Sequence, residues 1–217
     1  GFTYSSSNST VAIVDPATGK VTIMGAGSTV ITATAAELSG QYQLTILPKK
    51  ITALTWDSNR LIYTGQPIAP TATAKEGLVE GDEVTFSVPK ATEPGTYQVT
   101  AVSQNPNYVV AADVTPHQFT IVLPTITLSK TDGSVTAHMD GTSIMLSGLV
   151  GSPEETITVT VSGGGQSGSA TVSSGEMGTV TLSGVTYGVD AGGLTVQPTN
   201  VSLEAGETQV AAPADEV

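Results

Sequence analysis

Leu54-Thr-Trp56-Asp, Leu61-Ile-Tyr63-Thr-Gly65-Gln-Pro67, Pro94-Gly95-Thr96-Tyr97 and Asn105-Pro106-Asn107-Tyr108 mark out the stretch from Ile51 to Ile121. It holds the only Trp and three of the six Tyr, the best core-forming material in the chain. Between its Gly and Pro residues, apolar and polar residues mostly alternate. The spacing predicts strands near Thr52–Trp56, Leu61–Tyr63, Ala69–Ala74, Val84–Val88, Thr96–Ser103, Tyr108–Ala111 and Gln118–Ile121. Trp56, Tyr63, Tyr97, Tyr108 and Phe119 are the expected core; grouped instead on an exposed face, they would suit a carbohydrate platform. Gly65, Gly81 and Gly95 are expected in turns.

Outward from this stretch, Leu47-Pro48 and Leu123-Pro124 each place a residue that cannot donate to a ladder, as expected where modules join. Three segments follow: 1–47, 48–123 and 124–217. In the first, Val11-Ala-Ile13-Val14 breaks at Asp15-Pro16 and Gly19, then Val21-Thr-Ile23, Thr29–Thr34 and Tyr42–Ile46 resume the alternation. In the third, Ile157–Val161, Ala170–Val172, Val180–Leu182 and Leu194–Val196 alternate, with Tyr187 as the one aromatic. That predicts a thin core of Val, Ile and Leu. Gly163–Gly168 reads as a hairpin-like loop, since it lacks the Lys-Ser/Thr ending of a phosphate loop. Ala211–Val217 reads as a linker or frayed end. The fold class is all-β: tandem small immunoglobulin-like β-sandwich modules in an elongated array.

Composition narrows function. Nineteen acidic against 7 basic residues give a net charge of −12, which repels nucleic-acid phosphates and anionic lipid. No apolar run approaches the ~18 residues of a membrane helix, so no membrane insertion is expected in this stretch. Cysteine is absent, which removes disulfides and thiolate metal sites. No signal peptide is visible, and the chain reads as part of something longer.

Two resemblances sharpen the reading. Tyr63-Thr-Gly65-Gln-Pro67, Gly77-Leu-Val, Gly81-Asp82, Pro94-Gly95-Thr96-Tyr97 and Asn105-Pro-Asn107-Tyr108 resemble the MBG repeat of bacterial surface proteins, over nearly all of 48–123. Tyr4–Asp15, Gly19-Lys-Val21, Gly25-Ala-Gly27 and Ile31–Thr34 resemble the later half of the group-2 bacterial immunoglobulin-like domain. Both families imply structural modules of extracellular adhesins or stalks and supply no catalytic residues. Val201-Ser-Leu203-Glu-Ala-Gly206-Glu-Thr208 is similar to the missing opening strand of the group-2 domain. Strand exchange, in which this tail lies against the 1–47 sheet of the same or a neighbouring molecule, is one expectation. A tail that starts the next repeat, or belongs to the third segment, is the other.

The search for chemistry is short. His117 and His138 fall in different segments, and zinc needs three or four convergent ligands. Glu76, Glu80, Asp82 and Glu83 cluster at a turn, as a solvated loop or a calcium site, without regular ligand spacing. No pair of carboxylates sits in a cleft-forming pattern, so no catalytic residue, metal or cofactor is assigned. A Lys130–Asn200 isopeptide assisted by Glu154 or Glu155 is a candidate; three exposed polar residues are the alternative. The expected role is a non-catalytic stalk or adhesion segment on the bacterial surface. Its partner would be an unidentified surface or host ligand, protein or glycan. The alternatives are a glycan- or host-protein-binding module and an accessory region of a secreted polysaccharide-active enzyme.

Overall fold

The computed structural model describes residues 1–198, and every regular element among them is a β-strand, as the alternation predicts. The chain forms two compact units, Gly1–Leu123 and Pro124–Val217. The tail Val201–Thr208, Ala211–Val217 and the candidate Asn200 lie outside the described residues.

The first unit begins with β1 (Thr3–Ser6), β2 (Ala12–Val14), β3 (Val21–Ile23), β4 (Gly27–Ala35) and β5 (Leu38–Ile46). β4 pairs antiparallel with β1 and β5, and β2 with β3. Asp15 closes the β2–β3 connection: its Oδ1 accepts the Thr18 amide at 2.8 Å and the Ala17 amide at 3.0 Å. Those bonds, that from Thr18 first, hold its carboxyl below the ordinary carboxylate range. The Ser5–Asn8 run also has a structural use. Thr29 is buried, and its hydroxyl meets Ser6 Oγ at 2.9 Å and accepts the Asn8 amide at 3.0 Å. A buried hydroxyl without partners would cost about 1–3 kcal/mol.

The unit continues with β6 (Lys49–Ile51), β7 (Ala53–Trp56), β8 (Arg60–Ile62), β9 (Ala72–Glu76), β10 (Phe86–Ser87), β11 (Gly95–Val99), β12 (Val102–Ser103), β13 (Tyr108–Val110) and β14 (His117–Val122). The expected run Thr96–Ser103 is split. β11 pairs with β14, whereas β12 pairs with β10, so Thr100-Ala101 carries the chain from one sheet to another. Two pairings are parallel, β6 with β13 and β8 with β14. Ile51, Tyr63, Tyr108, Phe119 and Ile121 are buried. Trp56 and Tyr97 are only half-buried, a correction to the expected core. Tyr97 still leans on Phe119 with ring centroids 5.6 Å apart, and its hydroxyl donates to the Glu93 carbonyl at 2.8 Å.

The second unit holds β15 (Thr125–Leu128), β16 (Val135–Asp140), β17 (Ser143–Val150), β18 (Ile157–Gly163), β19 (Gln166–Val172), β20 (Met177–Leu182) and β21 (Val185–Val196). They form sheets ordered β15-β18-β19 and β16-β17-β21-β20. Alternate residues of both point inward: Val159 and Val161 from one, Ile144, Leu146, Val180 and Val189 from the other, all buried with Tyr187. This is the thin aliphatic core that the composition implies. Full burial of each such side chain contributes roughly 1.5–3 kcal/mol. The Gly163–Gly168 loop is tighter than its glycine content suggests. Gly163 pairs with Gln166, so only Gly164 and Gly165 turn the chain, at φ of 58° and 78°. Two consecutive positive φ values are what a type I′ hairpin requires.

Candidate functional site

Within the first unit, the Asn105-Pro-Asn107-Tyr108 motif builds a joint between the segments on either side of Leu47-Pro48. Ser103 Oγ donates to the Asn105 carbonyl at 2.9 Å and accepts the Asn105 amide at 3.2 Å. Asn105 Oδ1 then accepts the Asn107 amide at 2.9 Å. This nested turn aims Asn107 away from its own sheet, and its Oδ1 accepts the Ala26 amide at 2.7 Å. The Asn107 carbonyl meanwhile accepts the Lys49 amide at 2.8 Å, where β6 begins. Gly25 permits the approach: a Cβ there would lie 2.9 Å from Asn107 Oδ1.

Tyr108, next in the motif, turns inward. Its hydroxyl accepts the Val79 amide at 3.1 Å and donates to Asp82 Oδ2. The bond to Asp82 raises the Tyr108 pKa, because it is made only by the protonated phenol. Asp82 therefore serves as a structural acceptor. Gly81 of the same acidic turn has φ of 86°, as a turn glycine would. Among the described residues, no three His, Asp or Glu side chains converge to hold a metal ion.

The sole Trp lies elsewhere in this unit. The Trp56 ring stacks on His117 with centroids 4.4 Å apart and planes 7° from parallel. His117 Nε2 is 3.0 Å from the Ser58 carbonyl, which can only accept, so that nitrogen carries the hydrogen. His117 thus orients a ring stack. A cleft of about 240 Å³ opens beside Trp56, lined by Leu54, Val99, Ala101, Val110 and Val114. That is smaller than the roughly 300–1,000 Å³ of pockets that enclose small-molecule ligands.

In the second unit, Lys130 and Glu155 come together and Glu154 does not join them. Lys130 Nζ donates to Glu155 Oε1 at 2.6 Å, and Gly151 donates its amide to Glu155 Oε2 at 2.5 Å. Glu154 is exposed. The ion pair lowers the Glu155 pKa, with help from Gly151, and raises that of Lys130. Side-chain exposures of 21% and 29% leave both groups in reach of water. His138 is exposed on β16 beside Met145 of β17. No helix among the described residues is long and apolar enough to cross a membrane.

The Asn107–Ala26 contact is the feature that sequence reasoning misses. The motif announces a turn, but nothing in it identifies a partner in another segment.

Comparison with known proteins adds a partial match. Residues 1–37 match the family described as the immunoglobulin-like domain of intimin, on the segment whose motifs resemble the group-2 domain. No curated protein matches the chain. Among solved structures, the chain is similar to the S-layer protein rSbsC(31-844), at 15% identity and a TM-score of 0.23, over 86% of this chain and 30% of that one. It is also similar to surface layer protein SbsC, domains 1-6, at 15% identity and a TM-score of 0.23, over 99% of this chain and 33% of that one. The chain spans about a third of the length of these structures.

Proposed function

We propose that this chain is a non-catalytic stalk segment of an extracellular bacterial surface protein, carrying load and spacing for an adhesive part elsewhere. In this reading 1–47 belongs to a group-2 bacterial immunoglobulin-like domain, 48–123 is an MBG-type module and 124–217 is a third sandwich. The match of residues 1–37 to the immunoglobulin-like domain of intimin is the observation that carries it. The joint at Asn107 supports it, since a spacer needs neighbouring modules that do not swing freely.

Single-molecule pulling on the full chain tests this. The reading expects separate unfolding events, one per module, at forces well above those of an unstructured linker. A featureless extension would overturn it. So would hydrolysis of a polysaccharide, or tight binding on a glycan array with the modules intact, which would favour the accessory or ligand-binding alternatives.

A further inference from the structure

The chain contains two Asp-Gly bonds, Asp132-Gly133 and Asp140-Gly141, one before β16 and one at its end. Their settings match closely. All four residues are exposed, and both glycines have positive φ, 81° and 57°. A Cβ on either glycine would meet nothing within 4 Å. The two carboxyl groups differ. Asp132 Oδ1 accepts the Ser134 hydroxyl at 2.5 Å and the Ser134 amide at 2.9 Å. Those bonds, the hydroxyl's first, hold the Asp132 carboxyl below the ordinary carboxylate range and so favour its ionised form. Asp140 has no side-chain hydrogen bond or ion pair among the described residues. It is the last ladder residue of β16, opposite Ser143, so Gly141 and Thr142 alone make the turn. Glycine at the first of two turn positions suits a type II′ hairpin. The Gly141 amide has no backbone acceptor there.

We propose that Asp140-Gly141 is a site of spontaneous covalent modification, converting to isoaspartate through a succinimide, and that Ser134 protects the otherwise equivalent Asp132-Gly133. The Gly141 amide nitrogen attacks Asp140 Cγ. An N–Cγ bond forms, the nitrogen loses its hydrogen, and a carboxyl oxygen leaves as water. Water then adds to one of the two ring carbonyls. Opening at Cγ restores aspartate. Opening at the former main-chain carbonyl breaks its bond to Gly141 nitrogen, and the chain now runs through the Asp140 side chain. The water released in the first step is consumed in the second, so no other reactant is needed. Glycine exposes its amide to this attack because it has no Cβ. Departure of oxygen as water requires a protonated carboxyl that is free to rotate. Ser134 denies Asp132 both conditions, and nothing described denies them to Asp140. The product adds a methylene to the main chain at the Asp140–Ser143 pair, one step from Met139 and buried Ile144. Modification there loosens the closed end of the β16–β17 hairpin.

Long incubation of the full chain in neutral buffer, followed by digestion with Asp-N protease and mass spectrometry, tests the proposal. The protease cleaves before aspartate and not before isoaspartate, so each site is read separately. Resistance is expected to build up before Asp140, and several-fold more slowly before Asp132. In denaturant both carboxyls are free, and the two sites are expected to convert at similar rates. Ser134→Ala removes the hydroxyl bond and is expected to speed conversion at Asp132 in the folded chain. An Asp140 that stays unconverted in the folded chain, or equal folded-state rates at the two sites, overturns the proposal. So does a difference that persists in denaturant, or an Asp132 rate that Ser134→Ala leaves unchanged.

Discussion

Asn107 and Ala26 are 81 residues apart, and the side-chain oxygen of the first accepts the backbone amide of the second at 2.7 Å. The bond joins a turn of one sheet system to the connection between β3 and β4 of another. Asn107→Ala leaves the Ala26 amide without this acceptor. The expected loss is about 0.5–1.5 kcal/mol, the net worth of one hydrogen bond. Asn107→Asp retains an oxygen in the same place and loses less. Urea denaturation of the full chain measures both. Equal midpoints for Asn107→Ala and wild type would show that the bond holds nothing.

The Trp56–His117 stack gives the protein a reporter, since Trp56 is its only Trp. The imidazole covers one face of the indole, and such an aromatic pair contributes about 0.5–1.5 kcal/mol beyond its buried area. His117→Ala uncovers that face to water, so Trp56 emission is expected to move to longer wavelength and the unfolding midpoint to fall. His138 belongs to the other unit, so His138→Ala should leave the emission unchanged. A His117→Ala spectrum identical to wild type would refute the assignment.

The Lys130–Glu155 pair couples the second unit to pH. The folded-state pKa of Glu155 lies below its ordinary 4.5, so its contribution is present above that value and is lost as pH falls through the lower folded one. Lys130 runs the other way. Its folded pKa lies above 10.5, and its contribution is lost as pH rises through the higher folded value. Asp132, held low chiefly by hydrogen bonds from Ser134, keeps a share of the acid slope. Glu155→Gln is therefore expected to flatten, without abolishing, the fall in thermal midpoint on acidification. Calorimetry of the full chain reads this directly, and an unchanged slope would remove Glu155 from the account.

Much of the fold can be read from residue order, and the exceptions have physical causes. Between Ile51 and Ile121, β-branched and aromatic residues alternate clearly, and strands form close to where that pattern places them. β16 and β17 are harder to see. Ala137-His-Met139 and Met145-Leu-Ser-Gly148 carry no β-branched residue, although Val135, Thr136, Ile144 and Val150 flank them in strands that pair with each other and, for β17, with β21. β1 hides in a Ser-rich run whose hydroxyls turn out to serve Thr29. The candidate site is less legible. Lys130 and Glu155 meet across 25 residues and Asn107 meets Ala26 across 81, and local pattern does not specify such partners. Glu154, next to Glu155 and chemically equivalent, shows the limit: one residue of offset decides which acid reaches the lysine.

Gly148 is the position where backbone alone sets the outcome. It pairs with Val135 across β16 and β17 and has φ of 132°, a region that residues with a side chain rarely adopt. A Cβ there would also lie 2.1 Å from the Ser134 carbonyl oxygen and 2.9 Å from Val135 Cα. Both are backbone atoms, so the clash cannot be relieved by a rotamer change. Strand separation would loosen the sheet that carries buried Ile144, Leu146 and Val150. Gly175 separates the two effects: its φ is 80°, but a Cβ there would have nothing within 4 Å. Gly175→Ala is expected to cost about 1–2 kcal/mol from conformation alone. Gly148→Ala adds the steric term and is expected to cost about 3 kcal/mol or more, toward the severe end for single substitutions. Denaturant unfolding of the two variants decides it. Equal losses would mean that β16 and β17 accommodate a methyl group, and the close approach at Ser134 would not constrain the sheet.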